Sequence, residues 1–273
     1  MTRRRIRYIA LVLFLLLIAG TVHAAPTTSV YVVKIADDQT TILDEKTVDH
    51  LWMEANLPVL GDGRTRYYHQ GPVFDGDKWD QNETTNFKDR GAVKGTDVKD
   101  LCELVSGAEP GDDIMIRAAD GYHVVYPYSN IYTPDPRQGP IGICWYNGAD
   151  SGAGERQGTG YVPDYYMGMR VVFFADNSTN AEGLHVYGNY DMYETLPDSA
   201  QHFYDLLPST SGLSIKWVDE IRIYRGGFTG DRGSLASSLN EKPAPTTQAQ
   251  APLTLAPLIG GFCIAGLILW RRV

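Results

Sequence analysis

The stretch VKGTDVKDLCELVSGAEPGDDIMIRAADGYHVVYPY, residues 93–128, decides the fold. Its first half places apolar residues at the i, i+3, i+4 and i+7 positions of one helix face: Val98, Leu101, Cys102 and Val105. Thr96 is a typical N-cap residue, and Gly107 is typical of the position just beyond a helix C-terminus. This half therefore predicts a short helix that is capped by Thr96 and ended by Gly107.

The second half of the stretch predicts a β-hairpin. Residues 113–118 (DIMIRA) alternate with the period of a strand, Asp120-Gly121 is a favoured hairpin turn, and residues 122–128 (YHVVYPY) form the returning strand. Further strand signals lie elsewhere in the chain: residues 29–36, 140–145, 168–174 and 213–224. Helix is the minority signal, so we expect an α+β, β-dominated fold in a single domain.

The charge balance excludes some classes of partner. The chain carries 24 Lys and Arg against 33 Asp and Glu, a net charge of −9, and the two end segments hold basic residues but no acidic ones. The middle of the chain is therefore more acidic than the whole. Nucleic-acid binding needs clustered Lys and Arg to neutralise phosphates. We therefore expect no nucleic-acid partner, and no docking of this domain on anionic lipid.

The N-terminal segment has the pattern of a secretory signal peptide. Four arginines precede an apolar run, and small residues follow it, which places the cleavage site after Ala24. We predict a signal peptide at residues 1–24; the alternative is an uncleaved anchor. Export would put the following domain, residues 25–232, outside the cytoplasm.

The C-terminal segment is typical of a membrane anchor. Residues 251–270 are uncharged, and as a helix they would rise roughly 30 Å, the thickness of the hydrocarbon core. Residues 271–273 would form a cytoplasmic tail that begins with two arginines, and residues 233–250 have the Pro, Thr, Ser and Gln content of a stalk. The membrane is therefore one predicted partner; the alternative is a buried C-terminal helix.

Common catalytic and cofactor motifs are missing from the sequence. There is no HExxH, no GxSxG, no Walker loop and no GxGxxG after a strand. The loop DGDKWDQNE places Asp75, Asp77 and Asp80 close together, and such hard oxygen donors suit Ca²⁺. The spacing departs from the helix-loop-helix pattern, so a solvated acidic loop is the default and a calcium site the alternative.

Two cysteines and two glycosylation sequons fit an oxidising, exported setting. Cys102 lies on the predicted helix face and Cys144 in a predicted strand, so they form either one disulfide or two separately buried thiols. Asn82 and Asn177 each begin an N-x-Ser/Thr sequon in a polar stretch. We keep both asparagines as glycosylation candidates.

Four segments, in this order, resemble the oxidoreductase molybdopterin-binding domain family, which has the sulfite-oxidase-like fold: VKGTDVKDLCELVSG, DDIMIRAADGYHVVYPY, MGMRVVFFAD and IKWVDEIRIY. The resemblance implies that fold, and a molybdopterin cofactor whose metal is bound by a Cys thiolate just before the first segment. Residues 67–92 contain no Cys, and neither Cys102 nor Cys144 lies at the family's ligand position. The exported, tail-anchored layout also resembles cell-surface proteins of methanogenic archaea.

Together these features predict a membrane-anchored extracytoplasmic module that binds a ligand or has a structural role, with no resident cofactor. The alternatives are a molybdopterin-dependent oxidoreductase and a calcium-dependent envelope or adhesion component. Residues 58–92 have too few apolar positions for regular elements, and function tends to lie in such loops. The ligand-binding candidates come from this region and from later turns: His69, Gln70, Tyr122, Arg137 and Trp145. The predicted partner is a surface ligand or an envelope protein that the sequence does not identify.

Overall fold

The computed structural model describes residues 26–152, 155–176 and 180–230. Strands outnumber helices throughout this part of the chain, which confirms an α+β fold dominated by β-structure. The strands are β1 Ser29–Ile35, β2 Ile42–Asp49, β3 Tyr67–Gln70, β4 Phe87–Asp89, β5 Val93–Asp97, β6 Asp113–Ala118, β7 His123–Pro127, β8 Ile141–Asn147, β9 Gly160–Tyr161, β10 Arg170–Phe173, β11 His185–Tyr187, β12 Phe203–Tyr204, β13 Leu207–Pro208 and β14 Val218–Tyr224. The helices are α1 His50–Asn56, α2 Val98–Glu103, α3 Tyr128–Tyr132 and α4 Asn189–Thr195, with 3₁₀ turns at Asp198–Ala200 and Thr210–Leu213.

The largest sheet has five strands in the order β2-β1-β14-β6-β7. The predicted hairpin forms its β6–β7 end, and Gly121 takes the positive φ of 93° that this turn requires. The last strand, β14, lies in the middle of the sheet, parallel to β1 and antiparallel to β6. The two ends of the described chain therefore meet in one sheet.

Three smaller sheets complete the described domain. One has the order β10-β8-β5, with β9 added to β8, one has the order β11-β3-β4, and the smallest pairs β12 with β13. Apolar side chains from these sheets and from the five-stranded sheet form one buried core, which includes Ile116, Trp145 and Phe173. The core places the ends of β4 and β10 close to the 3₁₀ turn Thr210–Leu213, where the candidate site lies.

The region predicted to be irregular, residues 58–92, contains β3 and β4. These strands escaped the sequence pattern because they are short and because β3 buries two polar residues, His69 and Gln70. The predicted helix cap is also wrong: Asp97 caps α2 by accepting a bond from Lys99 N, while Thr96 is a buried strand residue. The helix ends before Gly107, as expected.

Several predictions fall on residues that the structure does not describe. The signal peptide, the stalk, the C-terminal helix and its tail all lie outside the described residues. Among the residues that are described, no helix combines the length and the apolar character needed to cross a membrane.

Candidate functional site

His69, a predicted ligand-binding residue, is fully buried in β3 and has a structural role. Its Nδ1 lies 2.9 Å from the carbonyl oxygen of Thr210, and its Nε2 accepts a bond from Phe173 N at 3.3 Å. These bonds place the proton on Nδ1. Burial lowers the pKa of His69 well below its usual value, and the charges of Arg90 and Arg170 add to the effect. The imidazole is therefore neutral and joins β3 to β10 and to the turn at Thr210.

Gln70, the next candidate, is also fully buried and forms a polar network with Thr210. The Gln70 main-chain N–H donates to Thr210 Oγ1 at 2.8 Å, and Gln70 Nε2 donates to Asp80 Oδ2 at 2.6 Å. Gln70 Oε1 accepts from Asn189 N at 2.9 Å. All of the polar atoms of the side chain are thus used within the protein, which explains Gln70 by folding rather than by ligand binding.

The other three candidates have three separate sets of hydrogen-bond or ion-pair partners. Trp145 is fully buried and donates from Nε1 to Thr96 Oγ1 at 3.1 Å. Arg137 forms ion pairs with Asp191 and Glu194. Tyr122 is 41% exposed, and its hydroxyl donates to the carbonyl oxygen of Gly212. No hydrogen bond joins any two of the five candidates among the described residues, and Trp145 and His69 are fully buried in the core.

The predicted calcium ligands do not converge either. Asp80 is buried, and its carboxylate accepts four hydrogen bonds: from Gln70 Nε2, Thr84 N, Thr84 Oγ1 and Thr85 N. Asp75 and Asp77 are exposed, and Asp77 Oδ1 accepts from Trp79 N. No group of three metal-ligating side chains occurs among residues 26–152, 155–176 and 180–230. The loop is organised by Asp80 through hydrogen bonds from neutral donors.

Of the two alternatives for the cysteines, the structure has the separate thiols. Cys102 in α2 and Cys144 in β8 are both free and fully buried. Burial raises the pKa of each thiol above its usual value, so neither carries an accessible thiolate. Asn82 is exposed, which is compatible with glycosylation, whereas Asn177 lies outside the described residues.

A pair of buried arginines defines a site that the sequence analysis did not select. Arg90, just after β4, is 6% exposed, and Arg170, the first residue of β10, is 1% exposed. Both line a pocket of about 310 Å³, together with Phe87, Lys88 and Gln157. The pocket is thus built where β4, β10 and the loop before β9 come together.

Neutral groups hold both guanidinium groups in place. Arg170 donates from Nε to Ser214 Oγ and from Nη1 to Gln157 Oε1, both at 2.8 Å. Arg90 donates from Nη2 to the carbonyl oxygen of Ser211 at 3.2 Å. The Nε of Arg90 is buried and has no hydrogen-bond partner within the described part of the chain. One strong donor in the pocket is therefore unused.

The two guanidinium groups of the pocket have no bonded counter-charge. Two carboxylates, Asp89 and Glu155, also line the pocket, but each pairs with a cation outside the Arg90–Arg170 pair. Among the described residues, no carboxylate lies within ion-pair distance of either guanidinium. Burial lowers the pKa of Arg90 well below its usual value, and the charge of Arg170 lowers it further. Burial likewise lowers the pKa of Arg170. Two buried cations without bonded counter-charges favour an anion between them.

Sequence reasoning missed this pair because the two residues are distant in the chain. One signal was present: Arg170 is the only charged residue in the apolar stretch GMRVVFFA, and a charge inside a buried strand needs a partner. Arg90 gave no such signal, because it follows a polar loop.

Comparisons with known proteins identify no relative: no family model matches the chain, and no curated protein or solved structure is detectably similar to it.

Proposed function

We propose that the protein is a membrane-anchored extracytoplasmic module that binds a small oxyanion in the pocket of Arg90 and Arg170. One observation carries the proposal: two buried guanidinium groups face the same pocket without a bonded carboxylate. A buried charge is costly unless it is paired, and guanidinium groups match the geometry of carboxylate, phosphate and sulfate oxygens. An oxyanion would supply the missing counter-charge and an acceptor for Arg90 Nε.

The pocket is organised for binding before any ligand arrives. Gln157 holds Arg170 through Oε1 and is itself fixed, because its Nε2 donates to the carbonyl oxygen of Asp89 at 3.0 Å. Ser214 Oγ accepts from Arg170 and donates to the carbonyl oxygen of Val171 at 2.7 Å. The donors therefore need little reordering on binding, which keeps the entropic cost low.

The sulfite-oxidase-like fold and the location outside the cytoplasm belong to the same proposal. The fold rests on the order of the family-like segments, which form β5, α2, β6, β7, β10 and β14. The location rests on the two end segments of the sequence. Within the described residues, the thiols do not fit a molybdenum–thiolate centre, because Cys102 and Cys144 are fully buried with raised pKa values. We therefore propose binding rather than molybdopterin-dependent oxidation.

Anion-dependent melting of the full chain in detergent tests the function. Sodium phosphate, sulfate and acetate are titrated at an ionic strength held constant with sodium chloride. We expect at least one of the three to raise Tm well above its value in chloride, because a ligand at about 100 times its Kd stabilises the folded state by about 2.7 kcal/mol. Arg170→Gln and Arg90→Met should abolish the rise.

Arg156→Met is the matched control for these variants. Its side chain is 73% exposed and pairs with Asp150, so the substitution removes one nearby positive charge without changing the buried pair. This variant should keep the anion-dependent rise. The function is refuted if wild-type Tm is the same in all four salts, or if Arg156→Met loses the rise together with the pocket variants.

A further inference from the structure

A second cavity of about 580 Å³ lies at the free edge of the five-stranded sheet. It is bounded by β7 on one side and by the chain around the 3₁₀ turn Asp198–Ala200 on the other. Val124, Val125, Leu213 and Phe228 give it apolar walls. Its size is that of a small-molecule site.

The cavity lies along the edge of β7, where it is lined by the main chain, rather than over one face of the sheet. Successive side chains of a strand point to opposite faces, yet the consecutive residues 122–125 all line the cavity. Ala118 N donates to the carbonyl oxygen of Tyr122, and Tyr128 N donates to that of Asp112. In this antiparallel register the even-numbered residues of β7 face β6, so the N–H and C=O of Val125 point away from it.

Val125 therefore presents one donor and one acceptor side by side in the cavity. Neither main-chain group has a hydrogen-bond partner within the described part of the chain, because β7 is the last strand of its sheet. A strand edge of this kind favours a flat ligand that carries an adjacent acceptor and donor of its own. The apolar walls favour a ring.

His202 gives the cavity a second polar group, and Gly212 makes room for it. A Cβ on Gly212 would lie 2.2–2.5 Å from the Cε1, Nδ1 and Nε2 atoms of His202, so the ring rests directly on the glycine. The His202 Nδ1 is buried without a hydrogen-bond partner among the described residues, while the side chain as a whole is half-buried and lines the cavity. Burial lowers the pKa of His202, so the ring is neutral at pH 7.

The lining of this cavity favours a neutral ligand over an anionic one. No Lys or Arg belongs to its lining, and its one carboxylate, on Asp113, accepts from Phe228 N at 2.7 Å. We propose that this cavity binds a neutral planar nitrogen heterocycle of the nucleobase class, which pairs with the Val125 main chain and packs against the apolar walls. This site is separate from the arginine pocket and does not depend on its function.

Adenine is the probe, and N6,N6-dimethyladenine is its matched control ligand. Adenine carries an amino donor beside a ring acceptor, whereas the dimethyl compound keeps the ring and loses the donor. Saturation-transfer NMR and titration calorimetry on the full chain in detergent measure both. We expect adenine to bind and the dimethyl compound to bind at least about tenfold more weakly, since the Val125 carbonyl oxygen then has no donor from the ligand.

Two substitutions assign the binding to this cavity. Val125→Pro removes an N–H that β6 does not use, and the same strand already carries a proline at the equivalent position 127. Gly212→Ala displaces the ring of His202. Each should weaken adenine binding at least about tenfold, whereas the control Gly152→Ala should not, because a Cβ there meets nothing within 4 Å.

Melting curves of all three variants establish that they fold. If Val125→Pro does not fold, Gly212→Ala carries the assignment. The proposal fails if folded wild-type protein does not bind adenine. It also fails if the dimethyl compound binds equally well, or if the folded cavity variants bind adenine like the wild type.

Discussion

Buried arginines occur in two regions of the molecule, and only one region supplies their counter-charge. In the five-stranded sheet, Glu220 Oε2 accepts from Arg222 Nη2 at 2.9 Å and from Arg117 Nη1 at 3.0 Å. In the pocket, Arg90 and Arg170 are as deeply buried as Arg222 but have only neutral partners. The cluster in the sheet therefore contains its own counter-charge, whereas the cluster in the pocket does not.

The pKa shifts follow the same division. Burial opposes the charged form in both regions, but the hydrogen bond and the charge of Glu220, together with Tyr224, outweigh burial and raise the pKa of Arg222. In the pocket, burial and the mutual repulsion of the arginines both lower the pKa of Arg90. A buried cationic cluster without a bonded counter-charge is typical of a binding site, where stability is lost in exchange for function.

The largest expected effect is the loss of Arg222. Arg222→Met leaves the buried Glu220 with a single partner, Arg117, which is partly exposed. We expect the free energy of unfolding to fall by about 3 kcal/mol, because breaking a buried pair leaves an uncompensated charge. Urea unfolding measures it; a loss no larger than that of a surface substitution would show that the two regions do not differ in this way.

Loss of Asp80, a buried carboxylate held by neutral donors, should have an intermediate effect on stability. Asp80→Ala removes the acceptor of four hydrogen bonds, and we expect a loss of about 2 kcal/mol. Asp75→Ala, on the same loop but exposed, should change stability by less than about 0.5 kcal/mol. Urea unfolding with and without Ca²⁺ compares them. A Ca²⁺-dependent rise in stability that Asp75→Ala abolishes would restore the calcium site.

Burial of His69, aided by the positive charges of the pocket, makes the stability of the fold depend on pH. The unfolded chain binds a proton at His69 near pH 6.5, whereas the lowered pKa keeps the folded side chain neutral to lower pH. Above pH 6.5, the titration of His69 therefore does not change the free energy of unfolding. Below that pH, it lowers the free energy of unfolding by up to about 1.4 kcal/mol per pH unit.

Unfolding of the wild type and His69→Gln is compared from pH 7.5 to 5. The glutamine keeps a donor and an acceptor but does not titrate, so the wild type should lose more stability than the variant on acidification. Equal losses would mean that His69 is protonated in the folded protein.

The smallest expected change in stability is a gain rather than a loss. Arg90→Met removes a buried cation that lacks a bonded carboxylate, and we expect the anion-free protein to gain about 1 kcal/mol. The Tm of the same variant should no longer rise when the oxyanion is added. Urea unfolding in chloride measures the gain. A loss as large as that of Arg222→Met would mean that the pocket contains a counter-charge after all.

The fold could be predicted from the sequence where regular periodicity met local turn signals. The β6–β7 hairpin followed from alternation around Asp120-Gly121, and α2 followed from its apolar face. β3 could not be predicted, because His69 and Gln70 look like loop residues until Thr210, 140 residues later, supplies their partners. The arginine pocket was hidden for the same reason: Arg90 and Arg170 meet only through tertiary packing.

The outermost strand on the other side of the large sheet, β2, has a consequence for behaviour at high concentration. Seven of its eight residues are exposed, among them Asp44, Glu45 and Lys46. An open strand edge invites pairing with a neighbouring molecule, and charges along it oppose such pairing. The charges along β2 therefore oppose edge-to-edge association between copies of this domain at high concentration.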